Sequence, residues 1–174
     1  MGLCNIECIE KIARYLDVSP RKLESFDKNV VFIPEYEKNL PSIQGFSTIV
    51  QALVKSSKCS DILGCNEKEA QALIQQWLEY IVICVNYADV PVNAKRILNE
   101  LNTVLKVVPY ITGTKKTIAD IALYYVLHSI MKELNLQQKA QYVHVSRWFN
   151  NIQQEEKLRR ELELISFNLL HIFL

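Results

Sequence analysis

The side chains that could perform chemistry are few, and they stand on helical spacing. Cys4 and Cys8 lie four residues apart, which puts both thiols on one helical face where the helix predicted over residues 5–16 begins. A thiol pair can bind zinc, but no second pair of soft ligands follows at zinc-site spacing, and the three histidines form no His-x-x-x-His frame. The sequence therefore predicts no metal site, and we expect no cofactor.

The cysteine count and the charge balance narrow the class of protein. The five cysteines are odd in number and irregularly spaced, which is typical of reduced thiols inside a cell. The formal net charge is only +1. The basic pairs Arg21-Lys22, Lys115-Lys116 and Arg159-Arg160 are interspersed with acidic or apolar residues, which indicates solvated surface. We therefore expect no direct nucleic-acid partner.

The N-terminus and the hydropathy favour a soluble protein. No basic segment and no long apolar run follows Met1, so we expect no signal peptide. Gly2 suggests myristoylation, but Ile6 stands where that motif requires Ser or Thr. No stretch approaches the ~20 apolar residues that cross a bilayer. The sequence predicts a cytoplasmic protein with no membrane partner.

The elements that must position these side chains begin with a small α/β segment. After the first helix, a short β-strand is predicted over residues 29–33, ended by Pro34. A second short strand is predicted at Ser42-Ile43, and a helix follows from Phe46 to about residue 56.

The rest of the chain predicts a helical bundle. Asn66 and Glu69 form a capping box that begins a helix running to about Tyr87. Besides its main apolar stripe, this helix carries a second one that contains Tyr80, Ile83 and Tyr87. A helix that is apolar on two sides is either central in a bundle or exposed to a partner, and the pattern leaves both open.

Four further helices are predicted, over residues 93–107, from Thr117, over 145–152 and from Glu155 towards the C-terminus. Thr117 and Asp120 form a second capping box, in which Asp120 also complements the positive end of the helix dipole. The helix that they begin is almost wholly apolar, so we expect it to be the buried centre of the bundle. The final helix is predicted from the stripe Leu158, Leu162, Ile165 and Leu169.

The spacing Tyr110-x-x-Gly113-x-x-x-Thr117-x-x-Asp120, together with Arg147-Trp148-Phe149, resembles the C-terminal domain of the glutathione transferase superfamily. The resemblance covers residues 66–160. It implies a mainly α fold, in which an abbreviated thioredoxin-like α/β subdomain with a βαβ-like opening (residues 1–57) precedes an all-helical domain (residues 66–174). Because such folds carry many activities, this resemblance leaves the function open.

The opening segment departs from the pattern of the enzymes in that superfamily. In register with Ile49, Gly45-Phe46 occupy the positions where the enzymes bind the glutathione γ-glutamyl group with an acid–Ser pair. Activation of the glutathione thiol also requires a positioned hydroxyl or thiol. The nearby candidates Cys4, Cys8 and Tyr15 follow helical periodicity, which indicates packing or surface. We therefore expect a protein that is not an enzyme.

Four stretches narrow the resemblance, because they occur in the order and spacing of one family: Leu63-Gly64, Gln75–Tyr80, Leu123–Tyr125 and Val145–Phe149. They are similar to the aminoacyl-tRNA synthetase complex-interacting multifunctional protein 3 (elongation factor 1 epsilon-1) family. The resemblance implies a non-catalytic scaffold that docks transferase-like domains of methionyl-tRNA synthetase and glutamyl-prolyl-tRNA synthetase. It also adds the nucleus to the expected cytoplasmic location.

The resemblance implies two docking surfaces. The first is the usual transferase dimer face, built here from the helices at 46–56 and 66–87, with the predicted contacts Phe46, Ile49, Leu53, Tyr80, Ile83 and Tyr87. The second surrounds Ser146 and Arg147, because an arginine in the latter position pairs across a pseudo-symmetric contact in the family. Alternatively, Arg147 caps its own bundle. We expect Trp148 and Phe149 to belong to the core.

Two other functions stay open on the sequence alone. One is a diverged glutathione transferase, which retention on a glutathione column would support. The other is a transferase-like module of the elongation factor 1 complex or a tRNA-binding accessory. Salt-sensitive binding of tRNA would favour it, although the near-neutral net charge argues against it.

Overall fold

The computed structural model describes residues 2–19, 23–26, 29–32, 43–58, 60–63 and 68–167. Within these residues the chain forms eight α-helices and one three-stranded sheet. The predicted cap at Asn66, the strand-ending Pro34 and the apolar end that contains Leu169 lie outside the described residues.

The opening of the chain is a helix followed by an antiparallel sheet. Helix α1 (Ile6–Tyr15) begins at Asn5, whose side chain accepts a hydrogen bond from the Cys8 amide at 3.0 Å. The sheet contains β1 (Leu23–Phe26), β2 (Asn29–Phe32) and β3 (Ile43–Gln44), in that order. Helix α2 (Phe46–Ser56) follows directly after β3.

The sheet contains both predicted strands and one that the sequence does not predict. The strand expected over 29–33 contains β2, and the strand expected at Ser42-Ile43 overlaps β3 at Ile43. Strand β1 is missing from the sequence prediction, because Leu-Glu-Ser-Phe lacks a β-branched run. Both strand pairs are antiparallel, so the expected βαβ-like opening is wrong for the described strands.

Six helices make up the rest: α3 (Lys68–Ile83), α4 (Pro91–Val104), α5 (Ile118–Glu133), α6 (Leu136–Gln141), α7 (Val143–Gln153) and α8 (Glu156–Arg159). The helix predicted to reach Tyr87 ends at Ile83, and a 3₁₀ turn, Val85–Tyr87, follows it. The helix predicted over 93–107 begins earlier, at Pro91, because a proline in the first helical position has a backbone suited to starting a helix.

Helix α6 is absent from the sequence prediction, although a capping box marks its start. The Asn135 side chain accepts from the Gln138 amide at 2.9 Å, and the Gln138 side chain accepts from the Asn135 amide at 3.0 Å. With only six residues, the helix is too short to show an apolar period.

The final helix is shorter than predicted. Helix α8 ends at Arg159, and Arg160 has a φ of +44°, which a right-handed helix does not contain. The buried Gln153 side chain instead pairs with the backbone of Ile165, donating to its carbonyl at 2.8 Å and accepting from its N–H at 3.0 Å. Residues 160–167 therefore run as a strap along the bundle.

Helix α5 is the buried centre that the sequence predicts. All residues from Ile118 to Leu127 are buried, and α5 packs against α1 and α3. Trp148 and Phe149 of α7 are 1% and 0% exposed, which confirms their place in the core. Buried residues of α1, α2 and the bundle form one continuous apolar cluster.

The predicted capping box at the start of α5 is present and lies inside this core. Oδ2 of Asp120 accepts from the amide of Thr117 at 3.0 Å and from its hydroxyl at 3.2 Å. Oδ1 accepts from the Ile111 amide at 3.0 Å and from the Trp148 indole at 2.9 Å. Burial raises the pKa of this carboxyl, while the hydrogen bonds oppose the shift. One carboxylate thus joins the loop before α5, the start of α5 and α7.

Candidate partner-docking surfaces

Helix α3 is buried along one narrow stripe. Of its 16 residues only Ile74, Leu78 and Ile81 are buried, and α3 packs against α5 in the core. Its other described side chains are half-buried or exposed. Several apolar side chains of α3 are therefore left outside the core.

Four apolar side chains, of which Tyr80 is half-buried and the others are exposed, follow one line along α3 and the 3₁₀ turn behind it. Leu73, Tyr80, Ile83 and Tyr87 are separated by seven, three and four residues, which is the spacing of one helical face. Leu73 is 36% exposed, Ile83 66% and Tyr87 56%. We call these four residues the α3 stripe. Exposed apolar side chains that adjoin one another are typical of protein–protein contact sites.

Polar bonds fix the α3 stripe to the neighbouring helix. The Tyr80 hydroxyl donates to a Glu100 carboxylate oxygen on α4 at 2.6 Å. Burial and this carboxylate raise the pKa of the Tyr80 phenol, so it stays a neutral donor. The Trp77 ring meets the Tyr80 ring edge-on, with the ring centres 5.4 Å apart. The stripe is therefore a preformed surface.

The structure corrects the predicted contacts on α2. Phe46, Ile49 and Leu53 are 4%, 0% and 3% exposed, so their side chains belong to the chain's own core. The part of α2 that faces outward carries Thr48 and Lys55 instead. An apolar stripe on a helix can pack against the chain's own core or against a partner, and the stripe of α2 packs against the core.

A cleft of about 460 Å³ separates the outer edges of α2 and α3. Lys55 and Gln51 of α2 line one side, and Lys68, Gln71 and Gln75 of α3 line the other. This cleft is not predicted by the sequence analysis, because its lysines lie on different helices and only the fold brings them together. The polar residues of α2 and α3 can be recognised as the lining of one cleft only when the packing of the two helices is known.

The second predicted surface contains one buried residue and one exposed residue. Ser146 is 3% exposed, and its hydroxyl donates to the Lys139 carbonyl at 2.8 Å, so the structure assigns it to the bundle. Arg147 is exposed, and its Nη2 donates to the Leu105 carbonyl at 2.6 Å. That carbonyl belongs to the end of α4, so Arg147 makes the capping contact that the sequence left as an alternative.

The loop that Arg147 contacts exposes an apolar side chain. Nη2 also lies 3.4 Å from the Val108 carbonyl, so the guanidinium bridges two turns of the loop after α4. Between those carbonyls, Val107 is 85% exposed. Val107 is not among the contacts predicted from the sequence, because a single valine in a loop gives no periodic pattern.

The three side chains that the sequence offers as thiol-activating groups, Cys4, Cys8 and Tyr15, all have raised pKa values. Burial raises the pKa of the Cys4 thiol to about 12 and that of Cys8 well above its usual range. The Tyr15 hydroxyl donates to Glu155 at 3.1 Å, and burial raises its pKa as well. None of the three is poised to activate a thiol at neutral pH.

The start of α2 carries no polar side chain at the positions where the enzymes of this superfamily bind glutathione. Gly45, at the start of α2, has a φ of +91° and supplies no side-chain cap, and neither Gly45 nor Phe46 carries a carboxylate or a hydroxyl. Across the part of the chain that the structure describes, no three His, Cys, Asp or Glu side chains gather where they could hold a metal ion. In the same residues, no helix is both long and apolar enough to span a membrane.

Sequence comparisons place the chain among proteins of translation. Residues 70–156 match the family described as nuclear-export cofactor Arc1p. The chain is 40% identical to mouse eukaryotic translation elongation factor 1 epsilon-1 over 129 residues, which is 74% of either chain. It is also 29% identical over 114 residues to mouse bifunctional glutamate/proline–tRNA ligase, covering 65% of this chain and 7% of that enzyme.

Comparison with solved structures identifies the fold. The chain resembles the GST-like domain of elongation factor 1-gamma from Saccharomyces cerevisiae with a TM-score of 0.64 and 16% identity. The match covers 95% of this chain and 93% of that domain. The fold is therefore glutathione transferase-like and mainly α, as the sequence predicts.

Proposed function

Because the chain belongs to the eukaryotic translation elongation factor 1 epsilon-1 family, we propose that it is a non-catalytic scaffold of the multi-aminoacyl-tRNA synthetase complex. It is a translation-associated protein with a glutathione transferase-like fold. In the proposed role, it docks the transferase-like domains of methionyl-tRNA synthetase and glutamyl-prolyl-tRNA synthetase. The role implies work in the cytoplasm, with the nucleus as a second location.

The α3 stripe is the observation that carries this proposal. It presents apolar side chains to solvent on a helix whose inner side is already satisfied by α5. Burying such side chains against another protein contributes about 25 cal/mol per Å² of apolar surface. Their regular spacing fits the ridge of a facing helix, so a helical domain is the natural occupant.

The ligase relative supports a partner of similar fold. A segment of mouse glutamate/proline–tRNA ligase is 29% identical to this chain, so that enzyme contains a homologous segment. Two homologous domains can pair through corresponding faces around a pseudo-twofold axis, as identical subunits do in symmetric dimers. A partner of this kind would bring its own counterpart of α3 to the α3 stripe.

The loop after α4 is the proposed second surface. A scaffold that joins two enzymes needs two separate faces, and this loop offers exposed Val107 beside the guanidinium of Arg147. The two carbonyl contacts of Arg147 fix the loop, so Val107 is presented in one position. Arginine beside an apolar contact is common among residues that contribute most to binding.

The absence of catalysis is part of the proposal. Retained transferase activity would need a group that stabilises the glutathione thiolate. The raised pKa values of Cys4 and Cys8 and the engaged hydroxyl of Tyr15 argue against such a group. Retention on a glutathione column, with conjugation of a generic electrophile, would favour a diverged transferase instead.

Co-elution with the two enzyme domains tests the proposal. The full chain is mixed at micromolar concentration with each transferase-like domain from the same organism, then with both, and is run on a size-exclusion column. We expect binary complexes and one ternary complex. Ile83→Asp should abolish binding of one domain and Val107→Asp binding of the other, because each puts a charge on one exposed apolar face. Failure of both domains to co-elute with the unchanged chain would overturn the proposal.

A further inference from the structure

The cleft between α2 and α3 differs in chemistry from the α3 stripe beside it. Lys55 enters it from α2 and Lys68 from α3, and three glutamine side chains complete the lining. Its floor is apolar, with Ile74 only 1% exposed. Among the described residues, no acidic side chain lines the cleft.

Both lysines in the cleft lack an acidic partner within the described residues. The ammonium groups that do pair with carboxylates belong to other lysines: Lys11, Lys116, Lys132 and Lys157. Of the two acids of α3, Glu79 accepts a hydrogen bond from the Ser47 hydroxyl at 2.6 Å, and Glu69 is exposed and does not line the cleft. Among the described residues, the lining of the cleft therefore contains two cations and no anion, which favours a negatively charged partner group.

We propose that this cleft receives carboxylate side chains from a helix of the docked partner. The inference rests on the proposed function, because the α3 stripe beside the cleft is the surface on which that partner sits. The partner face is then acidic opposite Lys55 and Lys68 and apolar opposite the stripe. The amide groups of Gln51 and Gln75 in the cleft supply further donors to the same carboxylates.

The division into a basic half and an apolar half determines how the partner is oriented. An apolar stripe alone accepts a facing helix in more than one register, because apolar contacts carry little directional information. Charges placed to one side penalise the reversed or shifted arrangement, since a carboxylate would then be desolvated without a cation. The cleft would thereby select one orientation and one partner among domains of the same fold.

A protein carboxylate fits the cleft better than a nucleic-acid phosphate does. Nucleic-acid binding relies on many cations that follow the backbone, and here two lysines act alone in a chain of formal net charge +1. The cleft also adjoins exposed apolar side chains, which favour a protein surface.

A charge-reversal experiment tests the inference. Lys55→Glu and Lys68→Glu are combined in one variant, and Lys95→Glu and Lys115→Glu are combined in a matched control with the same change in net charge. All four lysines are exposed, so both variants should keep the far-UV circular dichroism and melting temperature of the unchanged chain. Binding of the two transferase-like domains is measured by surface plasmon resonance between about 50 and about 300 mM salt, over which the Debye length falls from about 14 Å to about 6 Å.

The expected result is a loss of about tenfold in affinity for one domain in the cleft variant, mostly through a slower association rate. The control should bind both domains as the unchanged chain does, and the salt dependence should flatten in the cleft variant only. Equal losses in the two variants would assign the effect to net charge and overturn the inference. So would unchanged binding by the cleft variant. Binding of a tRNA probe in the same assay by the unchanged chain and the control, but not by the cleft variant, would also overturn it.

The same experiment separates this inference from the proposed function. If the cleft variant binds normally while Ile83→Asp abolishes docking, the scaffold role stands and the acidic partner face is refuted. If the unchanged chain binds neither domain, both are refuted together. A partner variant in which the facing acids are replaced by lysine should bind the cleft variant better than the unchanged chain.

Discussion

The Asp120 carboxylate accepts four hydrogen bonds inside the core, so replacing it should destabilise the protein strongly. Asp120→Ala leaves the amides of Thr117 and Ile111 and the indole of Trp148 without their acceptor. Asp120 is 0% exposed, so water cannot take its place without opening the core. The change also removes the cap of α5, the helix at the centre of the bundle.

The size of the effect follows from those three donors. A buried donor left without a partner costs about 1–3 kcal/mol, which gives about 3–9 kcal/mol in total. The net loss of stability is smaller than this sum, because Asp120→Ala also removes the cost of burying the ionised carboxyl. The raised pKa of that carboxyl reflects this cost. We therefore expect a loss near the low end, about 3 kcal/mol, which corresponds to about 6–12 °C in melting temperature for a protein of this length.

Urea unfolding followed by far-UV circular dichroism measures the loss. A double-mutant cycle then assigns it: Trp148→Phe removes one donor, so it should cost less in the Asp120→Ala background than in the unchanged chain. The difference should be about 1 kcal/mol, the scale of one buried hydrogen bond. A total loss below about 1 kcal/mol, or strict additivity of the two changes, would refute the view that this carboxylate joins three segments.

Three further outcomes follow from the geometry. Gln153→Ala should cost about 2 kcal/mol and open residues 160–167 to protease at temperatures where the bundle is intact, because it removes both bonds to Ile165. Burial lowers the pKa of His128 in the folded protein, and the charged groups that also act on it are Lys11, Lys132 and Glu163. The unfolded chain therefore binds the proton more readily, and the free energy of unfolding should fall as the pH drops below about 6.5. Urea titrations from pH 8 to 5 on the unchanged chain and on His128→Gln check this. Arg147→Ala should weaken the binding of one enzyme domain by about 2 kcal/mol in calorimetry, while loss of the contact with the Leu105 carbonyl should lower the melting temperature by only about 2–4 °C; a much larger drop would make the residue mainly structural.

Helix α5 shows which parts of the fold the sequence determines locally. Its capping box and its unbroken apolar run from Ile121 to Leu127 leave one interpretation, a buried helix with a defined start. Both signals come from residues within a few turns of each other. The structure therefore agrees with the prediction in type, position and burial.

The strap after α8 shows where local pattern fails. Leu158, Leu162 and Ile165 have the spacing of a helical stripe, yet only the first lies in a helix. The competing conformation is stabilised by Gln153, twelve residues before Ile165, and by the Tyr125 hydroxyl, which donates to the Leu158 carbonyl at 2.8 Å. Bonds of this kind depend on the packed bundle, so no window of sequence contains them.

The docking surfaces likewise include parts that the sequence indicates and parts that only the packed structure shows. The second apolar stripe of α3 is visible in the sequence as a period, and Ile83 and Tyr87 are exposed in the structure. The apolar stripe of α2 has the same period but faces the core. Periodicity indicates that a row of side chains is buried, but it does not indicate whether the chain's own core or a partner buries them. The pairing of Lys55 with Lys68 in one cleft has no sequence signal at all.

Helices α3 and α5 have the same length, 16 residues, and both are rich in apolar side chains. In α5 twelve residues are buried, whereas α3 buries three. If α3 served only to cover α5, polar side chains at Leu73 and Ile83 would do so with the same core contacts and better solubility. The chain instead keeps large apolar side chains in water and ties Tyr80 in place through Glu100. That arrangement serves the isolated chain poorly and a chain covered by another protein well.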